Sequence, residues 1–190
     1  MYYKITIYNY IDKVGDKLKN NKGFTLIELI ATITILSIIM LIAVPNVISI
    51  VNKNKNQTYI NDARKMVALA RYKFELDASI MKPQGSDCVV MELEALDRTE
   101  LNKGPENGVY DLNRSFVVIK YDSTNQLYDY MVQIVEKYDK GQKGVLLTNY
   151  SELVKVNAKN DYVKSEGFLD ADSSIDYGCE SANIYPKDDD

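Results

Sequence analysis

The chain has 190 residues, of which 46% are hydrophobic and 26% are charged, with a net charge of -4. This length and composition predict one folded domain with appendages and exclude a chain that is disordered throughout. The sequence has no histidine, and its two cysteines are too few and too far apart for a zinc site. We therefore expect neither catalysis nor a cofactor, and the acidic balance argues against a surface that coats nucleic acid.

A basic segment opens the chain, since residues 1–23 contain five lysines and only two aspartates. An uncharged run of Ile, Leu, Ala and Val then extends from residue 29 to residue 51. As a helix this run would be about 34 Å long, enough to cross a hydrocarbon core of roughly 30 Å. A buried core helix is rarely so long, and a cleaved signal peptide has a shorter apolar region with a small-residue cleavage site. The run predicts a retained single membrane span with a cytoplasmic N-terminus.

A second helical pattern follows the apolar run without a break. Its apolar residues recur at steps of three and four, with polar residues between them: Tyr59, Ile60, Ala63, Met66, Val67, Ala70 and Phe74. This spacing predicts an amphipathic helix that buries one face. We expect the helix to run from Phe24 to about Ile80, because Pro83 and Gly85 break helices.

The rest of the chain predicts short strands. Residues 88–91 form a brief apolar run, and residues 115–121 and 127–136 predict an antiparallel hairpin. We expect a loop at residues 102–108, a turn at 141–144, a third strand at 145–148, and loop with at most one short strand beyond residue 157. One face of the second hairpin strand should cover the amphipathic helix, namely the face of Tyr128, Tyr130, Val132 and Ile134. The fold class is α+β, with a long N-terminal helix packed against a small antiparallel sheet.

The six residues from Gly23 to Glu28, with the sequence GFTLIE, stand directly before the apolar run. This motif, together with the helix behind it, resembles the type IV pilins and their relatives over residues 17–80. The resemblance implies a leader at residues 1–23, longer than is common in that family. It also implies cleavage between Gly23 and Phe24 by a prepilin peptidase and N-methylation of Phe24. The expected domains are the leader, a membrane and assembly helix at 24–51, an amphipathic half at 52–82 and a β-rich head at 83–190.

Glu28 is a lone carboxylate at the start of a helix that suits lipid, where an unpaired charge is costly. No cation lies within the next 20 residues, so its partner must come from elsewhere. The resemblance implies that this partner is the Phe24 amine of a neighbouring subunit, and that the pair sets the register of assembly. The alternative is that Glu28 lies among the headgroups and caps the start of the helix.

Pro45 interrupts the apolar helix, because it lacks the N–H group and its ring clashes with the preceding turn. The resemblance implies that the helix melts around this proline during assembly. A simple kink is the alternative, since membrane helices tolerate proline.

Cys88 and Cys179 would lie outside the membrane, where disulfides persist. A bridge between them would close a loop of about 90 residues, whereas two free thiols are the alternative. Asp170, Asp172 and Asp176 are weak candidates for a calcium site, and a solvated acidic loop is the simpler interpretation. The acidic residues 188–190 predict a frayed tail.

The function implied by the resemblance is a structural subunit of a type IV pilus, with roles in adhesion or motility. Its partners would be other pilin subunits, a prepilin peptidase, an inner-membrane assembly platform, and the membrane before assembly. It would then leave the membrane for an extracellular filament. One alternative is a pseudopilin of a type II secretion system or of a competence DNA-uptake system, and only the competence pseudopilin would have nucleic acid as a partner. Another is a membrane-anchored adhesive or binding domain.

Overall fold

The computed structural model describes residues 23–96, 99, 101–155, 160–171 and 177–185. The predicted leader lies outside the described residues except for Gly23. The described chain divides between Ile48 and Ser49 into two compact units. A single helix, α1 (Leu26–Leu76), supplies residues to both units. Its apolar half belongs to the first unit up to Ile48, and its amphipathic half supplies core residues to the second unit.

Helix α1 ends four residues before the predicted end at Ile80. The Asp77 carboxylate causes this early stop, because it accepts hydrogen bonds from the backbone N–H of Ser79 at 2.9 Å and from the Ser79 hydroxyl at 2.6 Å. Aspartate side chains that bond the nearby backbone in this way compete with the helical pattern. The predicted breakers Pro83 and Gly85 therefore lie in the connection that follows, where Gly85 has a φ of 60°.

The described strands form one sheet with the order β6-β5-β4-β3-β1-β7, and β2 pairs with β4 outside this path. The strands are β1 (Asp87–Glu92), β2 (Val109–Tyr110), β3 (Phe116–Asp122), β4 (Leu127–Tyr138), β5 (Gly141–Asn149), β6 (Val163–Lys164) and β7 (Ser181–Tyr185). A short helix, α2 (Tyr150–Val154), follows β5. Short 3-10 turns occupy Leu93–Ala95 and Asn160–Tyr162.

The predicted hairpin is confirmed, because β3 and β4 pair antiparallel with Ile119 opposite Tyr130 and Asp122 opposite Leu127. Its predicted inner face is also confirmed. Tyr130, Val132 and Ile134 are buried in one cluster with the apolar stripe of α1, and Tyr128 packs against that cluster. The helix and sheet thus form the α+β layout that the sequence predicts.

Two expectations about the second half of the sheet are wrong. Residues 141–144 are not a turn, because Gly141 already opens β5 and pairs with Tyr138. Beyond residue 157 there are two short strands, β6 and β7, instead of one at most. The sheet is mixed, since β7 lies parallel to β1 while the other described pairs are antiparallel.

The outer face of the sheet carries a second buried cluster, which the sequence did not predict. Val90, Phe116 and Val118 lie there beneath Ala171 and Tyr177. Gln133 fastens the covering segment, since its amide donates to the carbonyl of Leu169 at 2.8 Å and accepts from the Leu169 N–H at 3.0 Å. The sheet is therefore buried on both faces, by α1 on one side and by residues near the C-terminus on the other.

Candidate functional site

Helix α1 begins with a reciprocal pair of hydrogen bonds between Thr25 and Glu28. The Glu28 Oε2 atom accepts from the Thr25 backbone N–H and from the Thr25 hydroxyl, each at 2.8 Å. In return the Thr25 Oγ1 atom accepts from the Glu28 N–H at 3.3 Å. The first helical backbone bond joins the Leu29 N–H to the Thr25 carbonyl at 3.1 Å. Thr25 and Glu28 therefore form a capping box, which satisfies N–H groups that a helix start otherwise leaves unpaired.

The capping box uses only part of the Glu28 carboxylate. Both of its bonds go to Oε2, and the described residues give Oε1 no hydrogen-bond partner. The side chain is exposed, as are Gly23 and Phe24 just before it. A cation from outside the chain therefore has access to a carboxylate that the helix has already oriented.

The apolar half of α1 carries no tertiary packing within the chain. All residues from Gly23 to Asn54 are exposed, including Phe24 at 86%, Leu41 at 77% and Ile42 at 68%. Apolar surface of this extent on a soluble protein marks a site that contacts lipid or other proteins. In the described part of the chain, α1 is the one helix that is both long enough and apolar enough to cross a membrane.

The polar side chains within this apolar half bond to their own helix. The hydroxyls of Thr32, Thr34 and Ser37 donate to backbone carbonyls three or four residues earlier, at 2.7 to 3.0 Å. Asn46 donates to the carbonyl of Ile42 at 3.0 Å. Because these groups are satisfied locally, they do not oppose burial in hydrocarbon or in a bundle of helices.

Pro45 lies inside α1, and the helix continues through it to Leu76. The proline has no N–H to donate to the carbonyl of Leu41, one turn earlier. It lies 17 residues beyond Glu28, so the structure does not bring these two predicted residues together. A role for Pro45 in assembly stays a prediction.

The family described as the prokaryotic N-terminal methylation motif matches residues 18–44. These residues include GFTLIE and the first part of the exposed apolar helix. The match gives the chain the N-terminal signature of type IV pilin-like precursors. Both pilins and pseudopilins carry this signature. Neither a curated protein nor a solved structure matches the chain.

The chain carries a disulfide between Cys88 and Cys179, whose Cα atoms are 5.9 Å apart. Cys88 lies on β1, and both cysteines are buried in the outer-face cluster. The bridge spans 91 residues of sequence, and it joins the C-terminal segment to β1, the strand next to the edge strand β7. It lies in the second unit, so it belongs to the folded head and not to the segment that carries the motif.

Asp170 is the one weak calcium candidate that lies in the described residues, and it forms an ion pair with Arg114. Its Oδ1 atom lies 3.3 Å from the Nε of Arg114. Asp172, Asp176 and the acidic residues 188–190 lie outside the described residues. Within the described ranges no three acidic, cysteine or histidine side chains gather in a metal-binding arrangement.

A buried polar cluster between α1 and the sheet was missed in the sequence. Glu136 is fully buried, and it accepts hydrogen bonds from the Gly108 N–H at 2.6 Å and from the Tyr59 hydroxyl. Nearby, Asp62 accepts from the Tyr110 hydroxyl at 2.5 Å. Burial raises the pKa of Tyr59 and of Asp62, since an interior environment disfavours the charged forms. The cluster holds the loop at residues 102–108 against the start of the amphipathic half of α1.

The capping box and the buried cluster differ in how far the sequence indicated them. Capping by Glu28 was one of the alternatives, and the Thr-x-x-Glu spacing also indicates its partner Thr25. Glu136 follows Ile134 by two residues, so strand alternation places it on the inner face of β4. Its partners are 28 to 77 residues away in sequence, so no local pattern indicated them.

Proposed function

We propose that this chain is a structural subunit of a type IV pilus-like filament. A prepilin peptidase would cut between Gly23 and Phe24, and the new Phe24 amine would be methylated. The mature subunits would leave the membrane and polymerise through residues 24–51, reaching the cell surface as a filament. The observation that carries this proposal is the methylation motif placed directly before an apolar helix whose side chains are all exposed.

Two features of α1 support polymerisation through this helix. Its exposed apolar side chains can exchange lipid contacts for contacts with the helices of other subunits. Its Glu28 carboxylate is oriented by Thr25, with one oxygen available to the Phe24 ammonium of a neighbour. A subunit at the wrong height would bury both charges unpaired, so the pair favours one register.

The leader cut is tested by mass spectrometry of the mature protein isolated from cells. The expected N-terminus is methylated Phe24. Gly23→Val should block the cut, because a branched side chain hinders close approach of a protease to the extended backbone. Gly15→Val, which changes a leader glycine outside the motif, is the matched control and should be processed normally. A mature protein that still begins at Met1 would contradict the proposal.

The form of the assembly is tested by imaging cells with an antibody to residues 83–190. Surface fibres are the expected result. Short foci confined to the envelope would indicate a pseudopilin of a secretion or DNA-uptake system, and even membrane staining would indicate an anchored binding domain. The peptidase and the assembly platform are proposed partners on the same basis as the filament.

A further inference from the structure

A groove lined by three lysines and two carboxylates, Glu106 and Asp139, lies at one end of the folded head. It is open, with a volume of about 480 Å³, and its lining includes Lys103, Lys137 and Lys140, together with Tyr138 and Val109. The groove is formed by the loop at residues 102–108, by β2, and by the turn between β4 and β5. We propose that this groove binds anionic phospholipid headgroups while α1 is inserted in the membrane. The inference rests on the membrane placement of α1 in the proposed function.

The position of the groove along α1 is set by contacts within the head. Glu106, which lines the groove, lies 2.6 Å from Lys55 of α1. At the opposite end of β4, the ring of Tyr128 lies 4.9 Å from the ring of Phe74. Residue 136 of β4 therefore contacts α1 near Tyr59, whereas residue 128 of β4 contacts α1 at Phe74, farther along the helix from the apolar run. The groove therefore lies at the end of the head that contains Lys55, close to the first residues of α1 that belong to the second unit.

The distance from the apolar run to the groove matches the headgroup layer. Lys55 follows the last residue of the run, Val51, by four residues, a rise of about 6 Å along a helix. The polar layer on one side of a bilayer is roughly 5–8 Å thick. Lys55 and the loop that it contacts would therefore lie at headgroup height if the run fills the hydrocarbon core.

The charges at this end favour an anionic partner. Six lysines are found here, against four carboxylates, of which Glu136 is fully buried: Lys53, Lys55, Lys103, Lys137, Lys140 and Lys143, against Glu106, Asp111, Glu136 and Asp139. Glu106 is shared by Lys55 and Lys143, at 2.6 and 3.5 Å, and Asp111 is paired with Lys137 at 2.7 Å. Within the described residues, Lys53, Lys103 and Lys140 form no ion pair, and all three are exposed. The chain as a whole has a net charge of -4, so this end differs in sign from the average.

The side chains beside the lysines also suit a membrane surface. Tyr138 has the amphipathic ring that is enriched at membrane interfaces, and Val109 is an apolar side chain with 61% exposure. Lysines near an anionic leaflet attract it, and the attraction falls within a Debye length. Basic, aromatic and apolar groups together favour a lipid headgroup layer over a free anion.

The test uses the full chain in lipid vesicles, with a fluorophore on a single introduced cysteine and a quencher on the lipid headgroups. Val109→Cys reports on the groove. Leu127→Cys is the matched control, since Leu127 is an aliphatic strand residue with 65% exposure. Val109 pairs with Lys137, ten residues along β4 from Leu127, so the two labels are separated by roughly 33 Å. Ser37→Cys reports whether the apolar run is inserted.

In vesicles containing phosphatidylglycerol, the Val109 label should be quenched about twofold or more above its value in phosphatidylcholine alone. Raising the salt from about 0.05 to 0.5 M should remove most of this difference, because it shortens the Debye length. Lys103→Gln with Lys140→Gln should also remove it, whereas Lys155→Gln, outside the groove, should not. The Leu127 label should remain unquenched in every lipid.

Equal quenching of the Val109 label in both lipids, with the Ser37 label inside the bilayer, would overturn this inference and leave the proposed function standing. Self-quenching at Val109 that rises with protein concentration and ignores lipid charge would also overturn it, and would indicate a second copy on the groove. A Ser37 label that remains in water would overturn the membrane placement itself, and the inference with it.

Discussion

The Glu28 carboxylate has one oxygen bonded to Thr25 and one oxygen without a hydrogen-bond partner among the described residues. Its Oε2 atom completes a capping box with Thr25, while Oε1 has no partner among the described residues. The capping role of Glu28, which the sequence left as an alternative, therefore exists in the subunit. It does not compete with pairing to a neighbour, because the two roles use different oxygens.

Variants at the helix start separate these two roles. Glu28→Gln keeps an oxygen that can accept the capping bonds but removes the charge, and it should lower filament yield by about tenfold or more, because the neighbour's ammonium would lose its partner. Thr25→Ala removes the capping hydroxyl and keeps the charge, so it should lower yield less. Thr34→Ala, which removes a hydroxyl within the helix, is the control. Yield is measured from sheared filaments against total subunit.

A normal filament yield from Glu28→Gln, together with a strong defect from Thr25→Ala, would contradict the pairing role. Capping would then be the main contribution of the carboxylate. In either case the Glu28→Gln and Thr25→Ala variants should both accumulate in the membrane at wild-type levels, since Thr25 and Glu28 are exposed in the folded chain.

Gly104 shows how a single missing side chain makes room for the buried acid. A Cβ atom at this position would lie 2.3 Å from the Cδ atom of Glu136. Gly104→Ala should therefore lower the free energy of unfolding by about 1–3 kcal/mol, as overpacking of a filled core does. Denaturant unfolding followed by circular dichroism gives the value.

The same substitution in a Glu136→Ala background provides the control. With the carboxylate removed, the added methyl group meets open space, so the cost of Gly104→Ala should fall by about 1 kcal/mol or more. Strict additivity of the two substitutions would show that the clash with Glu136 is not the cause.

Among the larger elements, the C-terminal segment depends most on long-range restraint. It covers the outer face of the sheet, where its residues contact Phe116 and Val118. Lys120 adds a hydrogen bond from its ammonium to the carbonyl of Tyr177. The strand that follows, β7, contributes five residues and pairs only with β1 among the described strands. The disulfide at Cys179 therefore supports an element with few other attachments.

Removing the bridge should be costly. Cys88→Ala with Cys179→Ala should lower the free energy of unfolding by about 4–5 kcal/mol, because the bridge closes a loop of 91 residues in the unfolded chain. Denaturant unfolding with and without reductant measures the effect. Reductant should shift the wild-type midpoint by a similar amount and leave the double variant unchanged. Labelling of two free thiols in the native extracellular protein would contradict the pairing.

On the scale of the whole molecule, carboxylates with opposite pKa shifts control stability at acid pH. Hydrogen bonds from Ser79 and Tyr185 lower the pKa of Asp77 to about 2, and these bonds tie the end of α1 to β7. Burial raises the pKa of Asp62. The Asp77 contribution is present above its unfolded value of 3.8 and is lost as the pH falls toward 2. The Asp62 contribution has the opposite sign, since the folded state binds its proton more tightly than the unfolded state.

Two variants test this balance. Asp77→Asn should make the free energy of unfolding less dependent on pH between about 5 and 2, since it removes a group whose ionised form stabilises the fold. Asp62→Asn should make the loss on acidification steeper, because it removes a group whose protonation opposes that loss. Unfolding in a neutral detergent at several pH values gives both slopes. Equal slopes for the two variants would contradict the assignment.

Local patterns in the sequence determined the features that depend on neighbours along the chain. The methylation motif, the apolar run, the stripe from Tyr59 to Phe74 and the β3–β4 hairpin all follow from residues close in sequence, where hydropathy and turn residues act directly. These features supply the candidate assembly site almost completely, since Glu28 and Thr25 are three residues apart. The length of the strands and the end of α1 were less accurate, because side-chain bonds such as that of Asp77 decide them.

Only the tertiary structure decided the features that join distant parts of the chain. It placed β7 parallel to β1, buried Glu136 beneath the loop at residues 102–108, and brought Lys103 and Lys140 to one groove beside the start of the head. Each of these depends on partners 28 or more residues apart, whose pairing minimises unsatisfied polar groups and exposed apolar area over the whole fold. A local pattern carries no record of such partners, so the sequence alone could specify the helix that we propose for assembly but not the surface that its head presents.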